Sequence, residues 1–150
     1  MAERSCAGTT VASPSRIVLH PIGYVKRAEK RSAPPDELRR TPAQIILKPE
    51  LTPGLEGIKR FRKLVVIFYC HQVKGFPLQV RPRRDASQQR RGVFASRSPA
   101  RPNPLGLTVV TLQRVEGNVL HVHGLDALDG TPVLDIKPFD PTFDRGEEAE

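Results

Sequence analysis

Residues 106–115 (GLTVVTLQRV), the dipeptide Glu116-Gly117 and residues 118–122 (NVLHV) decide the fold. Both runs are rich in β-branched residues, which are typical of strands. The dipeptide between them favours a hairpin turn, because glycine adopts positive φ without steric cost. We therefore expect the two runs to pair as neighbouring antiparallel strands.

Four further runs predict short strands or extended segments. The run at residues 64–70 is apolar at every position, which indicates a central strand covered on both sides. Residues 51–61 offer one short helix at most, and residues 73–89 have no consistent period, which predicts a long surface loop. With 15 prolines and 11 glycines between short strands, the sequence predicts a mainly β barrel or sandwich. The other runs are 17–25 (IVLHPIGYV, interrupted at Pro21), 43–47 (AQIIL) and 133–136 (VLDI).

The length of 150 residues suits a single domain. We expect a disordered leader at residues 1–15, the domain at 16–141 and an acidic tail at 142–150. Cys6 and Cys70 form neither a disulfide framework nor a zinc-ligand spacing, which favours a reducing cytoplasm and no metal. The longest apolar run is too short to span a bilayer, so we expect no membrane partner.

Positive charge is concentrated in one segment of the chain. The sequence has 24 Lys and Arg against 16 Asp and Glu, a formal charge of +8. This excess favours an anionic partner such as nucleic acid, although it also suits solubility alone. Residues 81–101, which we call the basic stripe, contain a single acid, Asp85. The arginines of the stripe are Arg81, Arg83, Arg84, Arg90, Arg91, Arg97 and Arg101.

Residues 92–107 (GVFASRSPARPNPLGL) have the composition of a binding loop. Its three prolines fix φ and so reduce the entropy that neighbouring side chains lose on binding. Arginine forks suit a carboxylate or phosphate, and an asparagine offers a donor and an acceptor. A structural corner with solvated arginines is the alternative. The side chains displayed there are Arg97, Arg101 and Asn103.

Carboxylates and a histidine mark three further candidate positions. Asp126 and Asp129 in LDALDG at residues 125–130 can accept from a ribose diol, although Asp-Gly pairs are more often plain turns. Asp135 and Lys137 lie on the same face of a predicted strand. The alternative to a functional role is that they simply form an ion pair with each other. His71 ends an apolar run, where a functional or a structural role is equally open. The sequence contains no Gly-rich phosphate or dinucleotide fingerprint.

Residues 92–107 and 124–141 (GLDALDGTPVLDIKPFDP) together resemble the hallmark motifs of the TrmO/TsaA-like tRNA methyltransferase family in residue type, order and spacing. Residues 21–25, 49–58 and 63–72 also resemble that family's pattern. The resemblance implies a small single-domain β-barrel with a short helix and long loops, which works as a homodimer and binds S-adenosylmethionine near the subunit interface. It further implies methylation of N6 of threonylcarbamoyladenosine beside the tRNA anticodon.

The resemblance also assigns roles to individual residues. Leu107 would pack on the adenine of S-adenosylmethionine, Asp126 or Asp129 would accept from its ribose, and Arg97 would bind its carboxylate. The implied cofactor contacts are His71, Gln72, Arg97, Leu107, Asp126, Ala127, Leu128 and Asp129. The candidates for a general base are His71, Asp129 and Asp135. The expected substrate contacts are Arg101, Asn103, Lys137, Arg84 and Arg91.

The sequence departs from the family in two places and leaves two other functions open. Family members commonly have a Gln-Pro-Gly-like segment near the cofactor, and residues 27–42 contain none. The longer tRNA-acting members also continue into a C-terminal region beyond position 141. One alternative is an S-adenosylmethionine-dependent methyltransferase of a small amide or acid. The other is a non-catalytic module that binds S-adenosylmethionine or nucleic acid.

Overall fold

The computed structural model describes residues 12–81 and 86–148. Six strands close into an antiparallel barrel in the order β1-β2-β7-β6-β3-β8, and β4 and β5 form a separate two-stranded ribbon. The expected barrel is therefore confirmed. The strands are β1 (Gly23–Lys26), β2 (Pro42–Leu47), β3 (Lys63–Tyr69), β4 (Gln79–Val80), β5 (Arg91–Gly92), β6 (Leu105–Glu116), β7 (Val119–His123) and β8 (Pro132–Pro138).

The hairpin of β6 and β7 organises the barrel as the sequence predicts. Its turn contains Gly117 at a φ of 58°, the left-handed region that glycine adopts without strain. The first half of β6 pairs with β3 and the second half with β7, with a register shift between Leu112 and Arg114. The long strand β6 therefore pairs with two neighbouring strands. Its first half contains Leu107 and Thr108, which belong to the candidate site described below.

Strand β3 shows why a run can be apolar at every position without being covered on both sides. Leu64, Val66 and Phe68 point into the core, where each is at least 94% buried. On the outer face Val65 is buried, but Tyr69 is 42% exposed. The expectation of a strand covered on both sides therefore holds at one end of β3 and is wrong at the other.

Several boundaries differ from the sequence-based expectations. The segment at 17–25 forms a strand only from Gly23, because Pro21 interrupts it and residues 17–19 are exposed. The region 51–61 holds two 3-10 helices, Pro49–Leu55 and Ile58–Arg60, rather than one α-helix. The predicted loop at 73–89 contains β4, which pairs with β5.

Short helices occur at both ends of the barrel. Helix α1 (Pro35–Leu38) lies between β1 and β2, and a 3-10 helix (Val93–Ala95) precedes β6. Helix α2 (Pro141–Asp144) extends from the last residue of the predicted domain into the predicted tail, and the Asp140 side chain caps it by accepting from the Thr142 N–H. Of the predicted leader, residues 12–15 are exposed and residues 1–11 lie outside the described part. No helix within the described ranges is long and apolar enough to cross a membrane.

Candidate functional site

The turn at residues 125–130 connects β7 to β8 and alternates buried apolar residues with carboxylates. Leu125 and Ala127 are 0% and 2% exposed and belong to the barrel core. Asp126 and Asp129 stay partly accessible, with 19% and 25% of their side chains exposed. The apolar residues therefore anchor the turn, while the carboxylates are presented at its surface. We call residues 125–130 the Asp turn.

Asp126 is held by two side chains that come from other elements. Its Oδ1 accepts from the Thr108 hydroxyl of β6 at 2.5 Å. Its Oδ2 lies 3.2 Å from Arg39 Nη2, at the C-terminal end of α1. Both contacts hold the carboxylate in one orientation, since the hydroxyl and the guanidinium each donate to one of its oxygens. Asp126 is thus a fixed acceptor.

Asp129 is held by the chain that follows β1. Its Oδ1 accepts from the Arg27 backbone N–H at 2.7 Å and lies 3.1 Å from Lys30 Nζ. The backbone hydrogen bond from Arg27, with help from Lys30, lowers the pKa of Asp129 below its ordinary value. A carboxylate with a lowered pKa is a weak proton acceptor, so this geometry suits an electrostatic or hydrogen-bonding role better than a general base.

The loop before β6 presents its two arginines differently. Arg97 is exposed and donates through Nη2 to the Leu107 carbonyl at 2.7 Å, which leaves its other N–H groups available. Arg101 donates through Nη1 to the carbonyls of Ser96 and Ser98, both at 3.1 Å. Arg101 therefore supports its own loop, which favours the structural alternative for this one residue. Asn103 is exposed beside them.

The end of β3 lies against both regions. The backbone N–H of Cys70 donates to the Pro104 carbonyl at 2.7 Å, and His71 and Gln72 follow in an exposed turn. Burial raises the pKa of the Cys70 thiol, and Asp126 raises it further while Arg101 lowers it. These Coulombic effects require proximity, so the end of β3 lies near the Asp turn and the arginine loop.

A groove of about 630 Å³ runs along the outer face of β6 beside the Asp turn. This volume falls within the range of about 300–1,000 Å³ that is typical of small-molecule sites. Leu107 is 45% exposed in the groove, and Arg97 stands beside it. The groove also contains Arg39, the partner of Asp126. The remaining lining residues are Val65, Thr108, Val109, Gly124, Phe139 and Asp144.

The residues present fit S-adenosylmethionine, the cofactor that the sequence resemblance implies. An exposed guanidinium suits a carboxylate, an exposed leucine suits the face of an adenine, and a fixed carboxylate accepts from a ribose diol. Arg97 and Leu107 line the groove. Asp126 supplies the carboxylate, and its partners Arg39 and Thr108 line the groove as well. No group of three or more potential metal ligands occurs within residues 12–81 and 86–148.

Asp135, Lys137 and Arg91 are not among the residues that line this groove. Asp135 and Lys137 form an ion pair of 3.0 Å on the outer face of β8, as the alternative interpretation proposed. Asp135 is the register partner of Ile67, which in turn pairs with Leu107. Arg91 is exposed in β5 and donates to the Ala95 carbonyl at 3.4 Å. Arg84 lies outside the described residues.

Three residues that support the site were not identified from the sequence. Arg27 and Arg39 belong to the segment at 27–42, where the expected Gln-Pro-Gly-like segment is missing, and Thr108 lies within β6. No local pattern distinguishes them, because each meets its partner only when the barrel closes. A charged residue directly after a strand and a lone hydroxyl in an apolar strand are the available signals.

Comparisons with known proteins agree with this geometry. A model of the tRNA-methyltransferase O N-terminal domain matches residues 26–145. An S-adenosyl-L-methionine-binding protein of Archaeoglobus fulgidus is 40% identical over 137 residues, covering 89% of this chain and 97% of the relative. A tRNA (adenine(37)-N6)-methyltransferase of Rattus norvegicus is 38% identical over 99 residues, covering 65% of this chain and 23% of the relative.

Solved structures share the fold. The crystal structure of TrmO from Pseudomonas aeruginosa has a TM-score of 0.69 and 33% identity, covering 90% of this chain and 61% of that one. The chain spans 54% of the length of a Pyrococcus abyssi relative that is 45% identical over 101 residues. The resemblance drawn from the sequence motifs is confirmed. The chain belongs to the family of the tRNA-methyltransferase O N-terminal domain.

Proposed function

We propose that this chain binds S-adenosylmethionine and transfers its methyl group to N6 of threonylcarbamoyladenosine beside the tRNA anticodon. The observation that carries this proposal is the groove that Arg97 and Leu107 line, together with Asp126, whose two partners line the same groove. Family membership and the names of the relatives support the cofactor and the reaction class.

Different residues would bind the carboxylate, the adenine and the ribose of the cofactor. Arg97 would bind the α-carboxylate, since its Nη2 is held by the Leu107 carbonyl and its remaining donors are available. Leu107 would pack on the adenine. Asp126 would accept from the ribose hydroxyls in an orientation fixed by Thr108 and Arg39. Gln72 and Leu128 complete the proposed contacts, whereas the side chain of Ala127, also predicted as a contact, is buried in the barrel core.

The chain's main contribution to methyl transfer would be alignment. When bound, S-adenosylmethionine supplies an electrophilic methyl group, whose bond to sulfur breaks as the bond to the substrate nitrogen forms. Holding the nitrogen in line with that methyl can contribute roughly 7–11 kcal/mol. Among the three candidate bases, His71 suits removal of the N6 proton best. The pKa of Asp129 is lowered, and Asp135 is paired with Lys137.

The charge of the surface supports tRNA over a small substrate. Besides the basic stripe, a depression of about 480 Å³ beside the start of β3 is lined by Lys59, Arg60 and Arg62. None of these three forms an ion pair with another described residue. Free cations of this kind suit phosphate contacts, which position a nucleic acid without reading its sequence. Arg91, Arg101, Asn103, Lys137 and Arg84 remain proposed substrate contacts.

We propose further that two copies associate through the outer face of β3 and β6. Tyr69, Leu105, Leu107 and Val109 point outward there, each between 40% and 45% exposed. A continuous apolar face of this kind is typical of an association surface. Because Leu107 also lines the groove, a second copy on this face would border the cofactor.

The proposed function is tested by methyl transfer in vitro. The purified chain is incubated with methyl-labelled S-adenosylmethionine and with tRNA from cells that lack this methylation, and the nucleosides are analysed by mass spectrometry. Methylated threonylcarbamoyladenosine is expected, and tRNA lacking the threonylcarbamoyl group should remain unlabelled. Label that enters only small molecules of a cell extract would identify a small substrate instead. Cofactor binding without any transfer would identify a binding module.

A further inference from the structure

Arg27 is a charged residue in the interior of the site region. It follows β1 directly and is only 3% exposed. Desolvation by burial lowers the pKa of Arg27, while the nearby Asp126 and Asp129 carboxylates raise it. Burying a charge is costly unless its hydrogen bonds are satisfied, so the contacts of this guanidinium indicate its role.

The guanidinium of Arg27 binds the Asp turn on both sides of Asp126. Its Nε donates to the Ala127 carbonyl at 2.6 Å, and its Nη2 donates to the Leu125 carbonyl. These two carbonyls flank Asp126 in the sequence. A planar fork that binds both carbonyls fixes the peptide plane before Asp126 and the peptide plane after Ala127. It thereby restricts the backbone that directs the Asp126 carboxylate.

The same guanidinium also fixes the segment that carries Arg39. Its Nη1 donates to the Leu38 carbonyl and to the Thr41 hydroxyl, both at 3.1 Å. Leu38 ends α1, and the next residue, Arg39, pairs with Asp126 at 3.2 Å. The Arg27 side chain therefore binds backbone carbonyls next to both members of the Asp126–Arg39 ion pair.

Backbone bonds already hold the other end of the Asp turn. Val25 donates to the Thr131 carbonyl at 3.0 Å, and Gly130 donates to the Val25 carbonyl at 2.8 Å. These contacts attach residues 130–131 to β1. The side-chain donors of Arg27 bind residues 125 and 127 instead, on either side of Asp126. They therefore constrain a part of the turn that the backbone hydrogen bonds to β1 do not reach.

We propose that Arg27 is a positioning residue for the cofactor, which orients Asp126 and Arg39 through their backbone without touching the cofactor itself. This inference rests on the proposed binding of S-adenosylmethionine.

The test is calorimetric titration of the full chain with S-adenosylmethionine, well below the melting temperature. Three variants are compared with the wild type, namely Arg27→Met, Arg27→Lys and the control Leu120→Ala. Leu120 is fully buried in β7, and its register partners are Ile45 and Val115, so its truncation destabilises the barrel without removing a hydrogen bond to the Asp turn. Thermal melting is recorded without cofactor for all four proteins.

Arg27→Met should weaken binding at least tenfold. Arg27→Lys, which keeps the charge but cannot bind both carbonyls with a planar fork, should weaken it about threefold. Leu120→Ala should melt at a lower temperature with an unchanged Kd. Unchanged affinity in Arg27→Met, or an equal loss in Leu120→Ala, would overturn the positioning role.

Two further outcomes keep the test decisive. If Arg27→Met does not fold, Arg27→Lys decides, and a lowered melting temperature with wild-type Kd would reduce Arg27 to a structural residue. If the wild type itself does not bind S-adenosylmethionine, the proposed function fails first, and the inference about Arg27 fails with it for a separate and recognisable reason.

Discussion

The arginine loop at residues 96–104 contributes Arg97 to the groove, and the Asp turn at residues 125–130 contacts two of the groove's lining residues. The two regions are held by different contacts. The Asp turn depends on side chains far away in sequence, since Arg27 lies 98 to 102 positions from the residues that it binds there. The loop is held mainly by bonds over two to five positions, such as those from Arg101 to Ser96 and Ser98. One bond from the barrel, from the Cys70 N–H to the Pro104 carbonyl, holds the end of the loop.

This difference predicts how the two regions respond to mutation. Changes that disturb the barrel beneath the Asp turn should affect folding and cofactor binding together, because the same bonds serve both. Changes to exposed side chains of the arginine loop should affect binding with little effect on folding, because short-range bonds and prolines order most of the loop. Four variants test this distinction.

The largest effect should come from Gly23→Ala in β1, the strand that leads to Arg27. A Cβ at position 23 would overlap the backbone carbonyl of Ile46 and the Cα of Leu47, neither of which can move aside as a side chain does. We expect a loss of about 3 kcal/mol or more in the free energy of unfolding. Urea unfolding measures it. Gly54→Ala is the control, since a Cβ there meets nothing within 4 Å, and an equal loss in both variants would contradict the prediction.

Sequence alone predicted those parts of the molecule that local patterns determine. The β6–β7 hairpin was predictable because β-branched runs surround a glycine turn, and the arginine loop because prolines fix its backbone. The pairing of Asp135 with Lys137 followed from the alternation of side chains along a strand.

The supports of the Asp turn were not predictable in the same way. Arg27, Arg39 and Thr108 meet residues 125–129 only because β1, α1 and β6 converge when the barrel closes. In the sequence they are a charge after a strand, a charge after a short helix and a hydroxyl in an apolar run. Nothing local distinguishes them from exposed residues.

Arg97→Ala should have the second largest effect, on binding alone. A charge-assisted hydrogen bond contributes about 1.5–3 kcal/mol, so the Kd for S-adenosylmethionine should rise about 10- to 100-fold. The melting temperature should stay unchanged, since Arg97 is exposed. Calorimetric titration measures the Kd. Arg90→Ala removes the same charge from an exposed position and serves as the control, and unchanged affinity in Arg97→Ala would refute the carboxylate assignment.

Thr108→Val should have a smaller effect that reports on the Asp turn. Valine has nearly the shape of threonine but cannot donate to Asp126 Oδ1, a bond of 2.5 Å in the wild type. The loss of about 1 kcal/mol should raise the Kd roughly fivefold. Thr108→Ser keeps the hydroxyl and should bind nearly as the wild type does. If serine and valine weaken binding equally, packing rather than the hydroxyl is responsible.

The smallest effect should come from Asp129→Asn and should depend on pH. The pKa of Asp129 is lowered in the folded state by the Arg27 N–H and Lys30, so its charge stabilises the fold above the unfolded pKa of about 3.9. That stabilisation is lost as the pH falls through the lower folded pKa. Urea unfolding should show the variant about 0.5–1 kcal/mol less stable at pH 7, with the difference shrinking below about pH 4.

Glu56→Gln, at an exposed residue without an ion pair among the described residues, is the control. A difference that stays constant from pH 7 to pH 3 would mean that Asp129 supports the turn through its shape rather than its charge.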